Sequence, residues 1–293
     1  MSPLALGRSS IEMRIVVPIK QVPETNAVKM DEETGTMIRE GVEAIVNPLD
    51  LYAIELAIRL RDSHAPGPPR KARGGHAEDG GGEVICISMG PPKAETALRE
   101  AIAMGADSGV LVSDKVFAAS DTWATSYVLA GAVRRIGDFD LIVCGERATD
   151  GDTGQVGPGL AAFCDLPVAT YVSGVDSVAE GSCRVRRLVE DGYEVLDMEL
   201  PAVLTVVKEI AEPRLPTLRG KQRSRKVDIP VWTSDDLDVE VDEVGRTGSP
   251  TRVVKIFRPK VARECEKLPA ESEHAIEAAA ERVVEFLKQR ELI

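Results

Sequence analysis

The sequence predicts an α/β protein: a doubly wound parallel sheet with an antiparallel hairpin extension and a C-terminal arm. Short apolar runs that suit strands buried on both faces alternate with segments of helical spacing, which is the pattern of such sheets. Farther along, residues 184–190 and 193–199 alternate about Asp191-Gly192, which is a strong hairpin signal. Beyond residue 211 the chain becomes proline-rich and basic, and this change predicts the arm.

The strands of the parallel sheet are short apolar runs bounded by polar or glycine-rich segments. We expect them at 15–19, 84–89, 109–112, 139–145 and 167–172, with a further strand at 202–207 and a small hairpin over 28–30 and 37–39.

The helices carry recognisable end signals. Asn47 is predicted to cap the first helix, with Pro48 in the first turn and Asp50 at the third position. Later helices are expected at 92–104, closed by Gly105, and at 120–136, with Ser120 as the cap and Gly137 after the end.

Three regions are expected along the chain. Residues 1–12 are an N-terminal extension that we expect to be disordered and that lacks the apolar segment of a secretory signal. Met13 is an alternative start, because the strand pattern begins at Arg14. Residues 13–211 form the α/β domain, interrupted at 62–82 by a Gly/Pro-rich loop that we expect to be disordered. Residues 212–293 form an arm that embraces a protein partner, with no compact element at 212–226 and an amphipathic helix at the end.

Composition limits the functions that the chain can have. With 293 residues, 43% of them hydrophobic, it can bury a sizeable core. The net charge of -12 argues against nucleic acid or an anionic membrane as a partner. The five cysteines form no CxxC pair, and His64 and His76 are loosely placed, so we expect a reduced, cytoplasmic chain without a metal site. No apolar run reaches the ~18 residues of a membrane span.

The stretch 138–162 is expected to hold the functional site. A strand over 139–145 leads into a polar, glycine-rich loop, and helical spacing resumes with Pro158 in the first turn. Glycines let a backbone approach a ligand closely, and the free N–H groups of a helix start favour an anion. The stretch therefore predicts a socket for a phosphate, although an ordinary strand-to-helix turn fits the local pattern equally well.

Other ligands fit this loop less well. It has neither the GxGxxG fingerprint nor the Gly-Lys-Ser/Thr of a P-loop. Calcium is rejected because Gly154, Gln155 and Ala161 occupy positions five, six and twelve of the calcium pattern. Asp150 and Asp152 would repel a phosphate, so they fit better as acceptors for ribose hydroxyls or as helix caps.

The topology adds a second argument. In a doubly wound sheet the ligand lies outside the carboxyl ends of the strands, where the strand order reverses. With the order 3-2-1-4-5, that point lies between the first and fourth strands. The segments that meet there are 18–20, 47–50, 88–90 and 145–157, and their convergence favours a nucleotide over a simple turn.

The chain resembles the beta subunits of electron-transfer flavoproteins (the FixA family) from about Met13 to the end of the arm. A long signature over 185–196 and the following 201–205 match that family. The other matching stretches are Lys20-Gln21-Val22-Pro23, Asn47-Pro48-Leu49-Asp50, Ser88-Met89-Gly90-Pro91, Ala103-Met104-Gly105-Ala106-Asp107, Asp150–Gly157 and Glu212-Pro213-Arg214.

The resemblance implies an adenine-nucleotide alpha hydrolase-like fold and a heterodimer with an alpha subunit that carries FAD. The stretch 150–157 and the stretch 217–220 look like the flavin-bifurcating group, whose beta subunits hold a second FAD; Gly154 departs from the usual Ala. The function implied is hydride transfer from NADH to that FAD, with one electron passing to the alpha subunit and one to ferredoxin or flavodoxin.

The same resemblance implies the residues of the site, none of them a covalent catalyst. Leu218 matches the leucine by which acyl-CoA dehydrogenase-type partners, and by extension quinone oxidoreductases, recognise beta subunits. The nucleotide contacts carried over are Pro18, Asn47, Pro48, Leu49, Asp50, Met89, Gly145, Glu146, Arg147, Ala148, Thr149, Asp150, Gly151, Asp152, Thr153, Gly154, Gln155 and Val156.

Two alternatives remain open from the sequence. The runner-up is a beta subunit that holds structural AMP and acts as a scaffold and docking surface. A lone adenine-nucleotide sensor of similar fold is a third reading, which the arm at 212–226 disfavours because a monomer has no use for it.

Overall fold

The structure, a computed structural model, describes residues 12–24, 29–30, 37–38, 44–64, 82–254 and 266–293. The helices are α1 (Asp50–His64), α2 (Glu95–Met104), α3 (Thr122–Ile136), α4 (Val156–Cys164), α5 (Leu218–Ser224), α6 (Gly245–Gly248) and α7 (Glu273–Gln289). The strands are β1 (Arg14–Pro18), β2 (Gln21–Pro23), β3 (Lys29–Met30), β4 (Met37–Ile38), β5 (Ala44–Val46), β6 (Glu83–Met89), β7 (Ser108–Val112), β8 (Leu141–Gly145), β9 (Val168–Ala179), β10 (Ser182–Val189), β11 (Gly192–Glu199), β12 (Ala202–Val206) and β13 (Val231–Trp232).

Two predicted disordered segments lie mostly outside the described residues. Of the extension at 1–12, only residue 12 is described. Of the loop at 62–82, residues 62–64 are the last turn of α1 and residue 82 precedes β6, while 65–81 are outside the described ranges.

The large sheet confirms the predicted doubly wound α/β class. Its nine strands lie in the order β11-β10-β9-β12-β8-β1-β6-β7-β13, and β1 pairs in parallel with β6 and with β8. The order 3-2-1-4 is therefore as predicted, but the fifth strand is not next to the fourth, because β12 lies between β8 and β9. All five residues of β12 are buried, which suits an inner position, whereas β9 runs on for 12 residues to pair antiparallel with β10.

Apolar cores lie on both faces of the sheet. Ile15 and Val17 of β1 belong to the core that includes Ile54 of α1 and Leu98 of α2, whereas Val16 belongs to the core that includes Val128 of α3. Successive side chains of a strand point to opposite faces, so β1 is buried on both sides. This arrangement leaves the carboxyl ends of β1 and β8 at one edge of the sheet.

Both predicted hairpins are confirmed, and the predicted cap of α3 is wrong. Strand β10 pairs antiparallel with β11 up to Val189↔Gly192, and β3 pairs with β4. The cap of α3 is Asp121, whose side chain accepts a hydrogen bond from the amide of Ala124 at 3.1 Å. The hydroxyl of Ser120 instead donates to Phe117 O at 2.8 Å and accepts from the Gly245 amide at 3.1 Å.

Residues 212–254 pack against the sheet domain, and the prediction that no compact element forms at 212–226 is wrong. The short helix α5 is capped by Thr217 and packs so closely on α2 that a side chain at Gly220 would overlap Ala103 O. Arg214 pairs with the buried Glu55 at 2.7 Å, and β13 pairs with β7. Because this segment packs within the chain itself, the argument that it disfavours a lone nucleotide sensor no longer holds.

The chain forms two compact units, Met1–Val254 and Lys255–Ile293. In the second unit, the described residues form α7, which Ser272 caps and which exposes Ile276 and Val283. Within the described ranges, no helix combines the length and apolarity that crossing a membrane requires.

Candidate functional site

Three segments that are distant in sequence meet at the carboxyl end of β1: residues 18–20, the turn at 47–50 and the loop that follows β8. The amide of Asn47 donates to Lys20 O at 2.8 Å, and the amide of Lys20 donates to the Asp50 carboxylate at 2.7 Å. Pro18 is buried at the end of β1, while Pro48 and Leu49 form the turn between Asn47 and α1. The turn before α1 is thereby fixed against the first strand.

Asn47 also holds the loop that follows β8. Its side-chain amide donates to Asp50 at 2.8 Å and to Arg147 O at 2.9 Å, and its side-chain oxygen accepts from the amide of Thr149 at 3.1 Å. The prediction that Asn47 caps the first helix is therefore wrong: α1 begins at Asp50, and the Asn47 side chain joins segments about 100 residues apart. Asn47 is fully buried and out of reach of water, so these hydrogen bonds satisfy the polar atoms of its side chain.

Asp50 is a buried carboxyl group beneath the same loop. Burial raises the pKa of Asp50 to about 7, and the charge of Asp150 adds to the rise, while hydrogen bonds from Asn47 and Lys20 oppose it. A carboxyl group in such surroundings changes its charge near neutral pH rather than near pH 4.

The loop is close-packed where it leaves β8. A Cβ atom at Gly145 would lie 2.5 Å from the Asp50 carboxylate and 2.8 Å from the carbonyl carbon of Leu49. Glycine is therefore required there, since any side chain would displace the Asn47–Asp50 turn. The amide of Glu146 donates to Val206 O at 3.1 Å, which ties this end of the loop to β12 as well.

The middle of the loop is open. A Cβ atom at Gly151 would meet no atom within 4 Å, and residues 151–153 are exposed. Asp152 and Gly154 adopt positive φ values of 54° and 62°, and the amide of Asp152 donates to Ala148 O at 2.8 Å. α4 then begins at Val156, and the amides of a helix's first turn have no partner within the helix.

Charged side chains line the loop in pairs. Lys20 Nζ lies 2.6 Å from Asp150 Oδ1, and Arg147 Nε lies 3.1 Å from Glu146 and 3.2 Å from Asp152. Neither aspartate caps α4, because its N-cap residue is Gln155 and no side chain makes a capping bond there. The prediction of a helix-capping role for Asp150 and Asp152 is therefore wrong, while a role towards ribose stays a prediction.

The loop ends against α3. The hydroxyl of Thr122 donates to the Gln155 side-chain oxygen at 2.8 Å, and the hydroxyl of Ser126 donates to Val156 O at 3.3 Å. A Cβ atom at Gly157 would overlap the methyl group of Thr205, so the start of α4 also packs closely on β12. Both ends of the loop are thus fixed while its middle is exposed.

Sequence reasoning missed several residues at this edge. Lys20 was placed in the crevice but given no role, although a lysine directly after a buried strand was a usable signal. Met89 ends β6 half-buried, and beside it Ser88 is fully buried with an Oγ that has no hydrogen-bond partner among the described residues.

Leu218, predicted to contact partners, is 83% exposed at the start of α5, and Leu215 is 86% exposed.

The fold and this edge together define a class: a doubly wound α/β protein, in which segments from separate parts of the chain meet outside the carboxyl ends of the strands at the switch point of the sheet. A family model described as the electron transfer flavoprotein domain matches residues 71–237. The chain belongs to the electron transfer flavoprotein family, among its beta subunits and FixA proteins, and its class of function is electron transfer.

Several relatives match almost the whole chain. The electron transfer flavoprotein subunit beta of Thermoanaerobacterium thermosaccharolyticum is 42% identical over 92% of this chain and 98% of its own length. The caffeyl-CoA reductase-Etf complex subunit CarD of Acetobacterium woodii is 40% identical over 96% of this chain and 100% of its own. Protein FixA of Azorhizobium caulinodans is 40% identical over 86% of both chains.

Proposed function

We propose that this chain is the beta subunit of a heterodimeric electron transfer flavoprotein and binds FAD in the crevice between β1 and the loop after β8. The observation that carries the proposal is the contrast within that loop. Asn47 and Gly145 fix its base, whereas Gly151 stands in open space beside the first turn of α4. An anchored base and open backbone are what close binding of a phosphate needs.

Different residues of the chain would hold the phosphates, the ribose and the adenine of the nucleotide. The amides of Gly151, Thr153 and Gly154 and those of Val156 and Gly157 at the start of α4, with the Thr153 hydroxyl, would bind the phosphates, whereas the Asp152 amide is already bonded to Ala148 O. Asp150 and Asp152 would accept hydrogen bonds from ribose hydroxyls. Lys20, 48% exposed and paired with Asp150, would reduce the repulsion between that carboxylate and the phosphates. Pro18 and Met89 would form the wall for the adenine.

The bound flavin would supply the redox chemistry, passing electrons singly or in pairs. The protein's part is to fix the position of the nucleotide and to exclude water from its phosphates. No side chain of the crevice is asked to act as a nucleophile.

The proposal extends to partners. An alpha subunit is the obligate partner of a beta subunit in this family, and electrons would enter from NADH and leave to ferredoxin or flavodoxin and to a dehydrogenase- or quinone-linked acceptor. Leu218 would contact an acyl-CoA dehydrogenase-type partner, since its exposed side chain follows a fixed cap at Thr217. The name of the Acetobacterium woodii relative, which places it in a caffeyl-CoA reductase complex, supports such a partner.

A second candidate is a beta subunit that holds AMP and serves as a scaffold and docking surface. The observation in its favour is that the exposed backbone of the loop is short, residues 151–153, so that a single phosphate would be enough to contact it. The two candidates differ only in what lies beyond the first phosphate.

One experiment separates them. The chain is purified as a complex with its alpha subunit, denatured, and the released nucleotides are counted per heterodimer. Two FAD molecules are expected, whereas one FAD with one AMP would reject the FAD proposal in favour of the scaffold. Release of no nucleotide beyond the alpha subunit's FAD would reject both.

A further inference from the structure

The proposed partner contact Leu218 belongs to a segment that is fastened to the sheet domain at both ends. Residues 212–227, the docking segment, expose two leucines, Leu215 at 86% and Leu218 at 83%. A flexible segment loses conformational freedom when a partner binds it, and that loss weakens binding. The contacts that hold the docking segment therefore decide how well its leucines are placed before a partner arrives.

The start of the docking segment is held by a buried carboxylate of α1. The Glu55 side chain is 3% exposed and accepts three hydrogen bonds from Arg214: from the amide at 3.1 Å, from Nε at 2.7 Å and from a terminal guanidinium nitrogen at 3.2 Å. Arg59, one turn further along α1, donates to the same carboxylate at 2.6 Å and to Glu212 O at 3.1 Å. Glu55, Arg59 and Arg214 together form the Glu55 clamp.

The clamp keeps Glu55 charged and fixes the direction of its bonds. Burial alone would raise the pKa of Glu55, but the hydrogen bonds from Arg214 and Arg59 outweigh burial and hold this pKa below its ordinary value. Two parallel bonds between a guanidinium and a carboxylate fix orientation as well as distance, which a lysine ammonium cannot do. The clamp is therefore a rigid attachment for the residues that lead into α5.

The other end of the docking segment is held by α2 and the turn that follows it. Arg223 donates to Ala106 O at 2.8 Å and also to Asp107 O. Arg99 of α2 donates to Ser224 O. Because these bonds do not involve α1, α5 stays attached when the Glu55 clamp is altered, and only the residues before α5 are loosened.

The two leucines lie between these attachments. Leu215 directly follows Arg214, and Leu218 is the first residue of α5, whose cap Thr217 accepts a hydrogen bond from the Gly220 amide at 2.9 Å. The clamp thus lies next to one exposed leucine and one helical turn before the other. Since α1 begins at Asp50 beneath the crevice, the same helix carries the turn of the crevice and the clamp.

We infer that Glu55 is a positioning residue for partner docking: through Arg214 it holds Leu215 and Leu218 in the arrangement that an acyl-CoA dehydrogenase-type partner binds. The inference rests on the docking role of Leu218 under the proposed function and deepens it, because it gives a role to a buried carboxylate. Leucines that are already in place lose less entropy on docking. The clamp therefore affects the affinity for the partner rather than electron transfer within the bound complex.

The test measures electron transfer from the reduced heterodimer to an acyl-CoA dehydrogenase at varied concentrations of the dehydrogenase. Arg214→Met breaks the clamp while Glu55 keeps its bond to Arg59, so KM for the dehydrogenase should rise about 5- to 10-fold with kcat within about twofold. Glu55→Gln should act in the same direction, and Arg214→Lys, which keeps the charge but not the paired bonds, should be intermediate. The matched control Glu83→Gln alters an ion pair with Arg14 and should change neither constant.

Two further measurements separate positioning from a general loss of stability. Leu218→Ala should itself raise KM, and adding Arg214→Met to it should raise KM by less than about twofold more, because the anchor that the clamp places is gone. Limited trypsin digestion should cut after Arg214 at least about fivefold faster in Glu55→Gln than in wild type, because the guanidinium and its backbone are released from the carboxylate.

The outcomes separate the inference from the docking role of Leu218. Independent, additive effects of Arg214→Met and Leu218→Ala would overturn the inference alone, as would a KM that neither Arg214→Met nor Glu55→Gln changes. Equal rates of the trypsin cut after Arg214, or a lower kcat at unchanged KM, would also overturn it. A KM unchanged in Leu218→Ala, or a wild type that transfers no electrons to the dehydrogenase, would reject the docking role and the inference together and leave the nucleotide crevice untouched.

Discussion

The two parts of the loop after β8 differ in packing, hydrogen bonding and exposure. At its base, Gly145 has no room for a Cβ atom, and the buried Asn47 side chain makes hydrogen bonds to three other residues. Only a few residues later, Gly151 is surrounded by open space. The difference indicates that the base is built for rigidity and the middle for contact with something outside the chain. Variants that add a side chain or remove a polar group in one part of the loop test this difference.

The largest effect is expected at the base. Gly145→Val would drive its side chain into the Asp50 carboxylate and the Leu49 backbone, so we expect a loss of at least about 3 kcal/mol in the free energy of unfolding. Urea denaturation of the variant measures this loss. An unfolding midpoint equal to that of wild type would show that the base is not close-packed.

Asn47→Ala should follow, at roughly 2–3 kcal/mol. The change leaves the Thr149 amide, the Arg147 carbonyl and one oxygen of Asp50 without their partner in a buried place. The same denaturation measurement applies, with Thr122→Ala as a control that removes the α3 hydroxyl bonded to Gln155 at the far end of the loop. If both variants lost the same small amount, the Asn47 network would have no special role.

Much of the fold and of the candidate site could be predicted from the sequence. What could not be predicted depends on contacts between residues that are far apart in the chain. Apolar runs and cap residues are local signals, so they predicted the parallel strands, the hairpins and the segments that meet at the sheet edge. The insertion of β12 between β8 and β9 depends on pairing between residues about 60 positions apart, such as Leu141 and Ala202, which no local pattern encodes. Asn47 was misassigned for the same reason, since its partner Thr149 is 102 residues away. Helix α5 was missed because its stability comes from packing on α2 rather than from its own residues.

The buried carboxyl group makes the base sensitive to pH. The pKa of Asp50 is raised by burial from its ordinary 3.8 to about 7 in the folded protein. Below about pH 4 both states hold the proton; between about pH 4 and 7 only the folded state does, so the free energy of unfolding falls as pH rises through this range and stays lower above it.

Asp50→Asn removes this titration. Denaturation at pH 5 and pH 8 should therefore show wild type losing roughly 2 kcal/mol more than Asp50→Asn across the interval. The hydrogen bond that asparagine cannot reproduce affects both pH values equally and cancels in the difference. Parallel pH profiles for the two proteins would mean that Asp50 is already ionised at pH 5.

Lys20→Ala, at an exposed position beside the loop, should change the free energy of unfolding less than the variants above. Its ion pair with Asp150 is half exposed, so the free energy of unfolding should change by less than about 1 kcal/mol. Nucleotide affinity should fall several-fold, and more at low salt, because the Asp150 charge is no longer balanced. Lys20→Arg keeps the charge and serves as the control. Unchanged affinity in Lys20→Ala would separate this lysine from the proposed site.

The central claim is that the middle of the loop lies against the phosphates of an adenine nucleotide, and Gly151→Val tests it most directly. The position is open and its φ is not in the left-handed region, so valine should change the free energy of unfolding by no more than about 0.5 kcal/mol. In the purified heterodimer we expect a stable protein whose beta site is empty of FAD and AMP, as counted by nucleotide release. A beta site filled as in wild type would contradict the account.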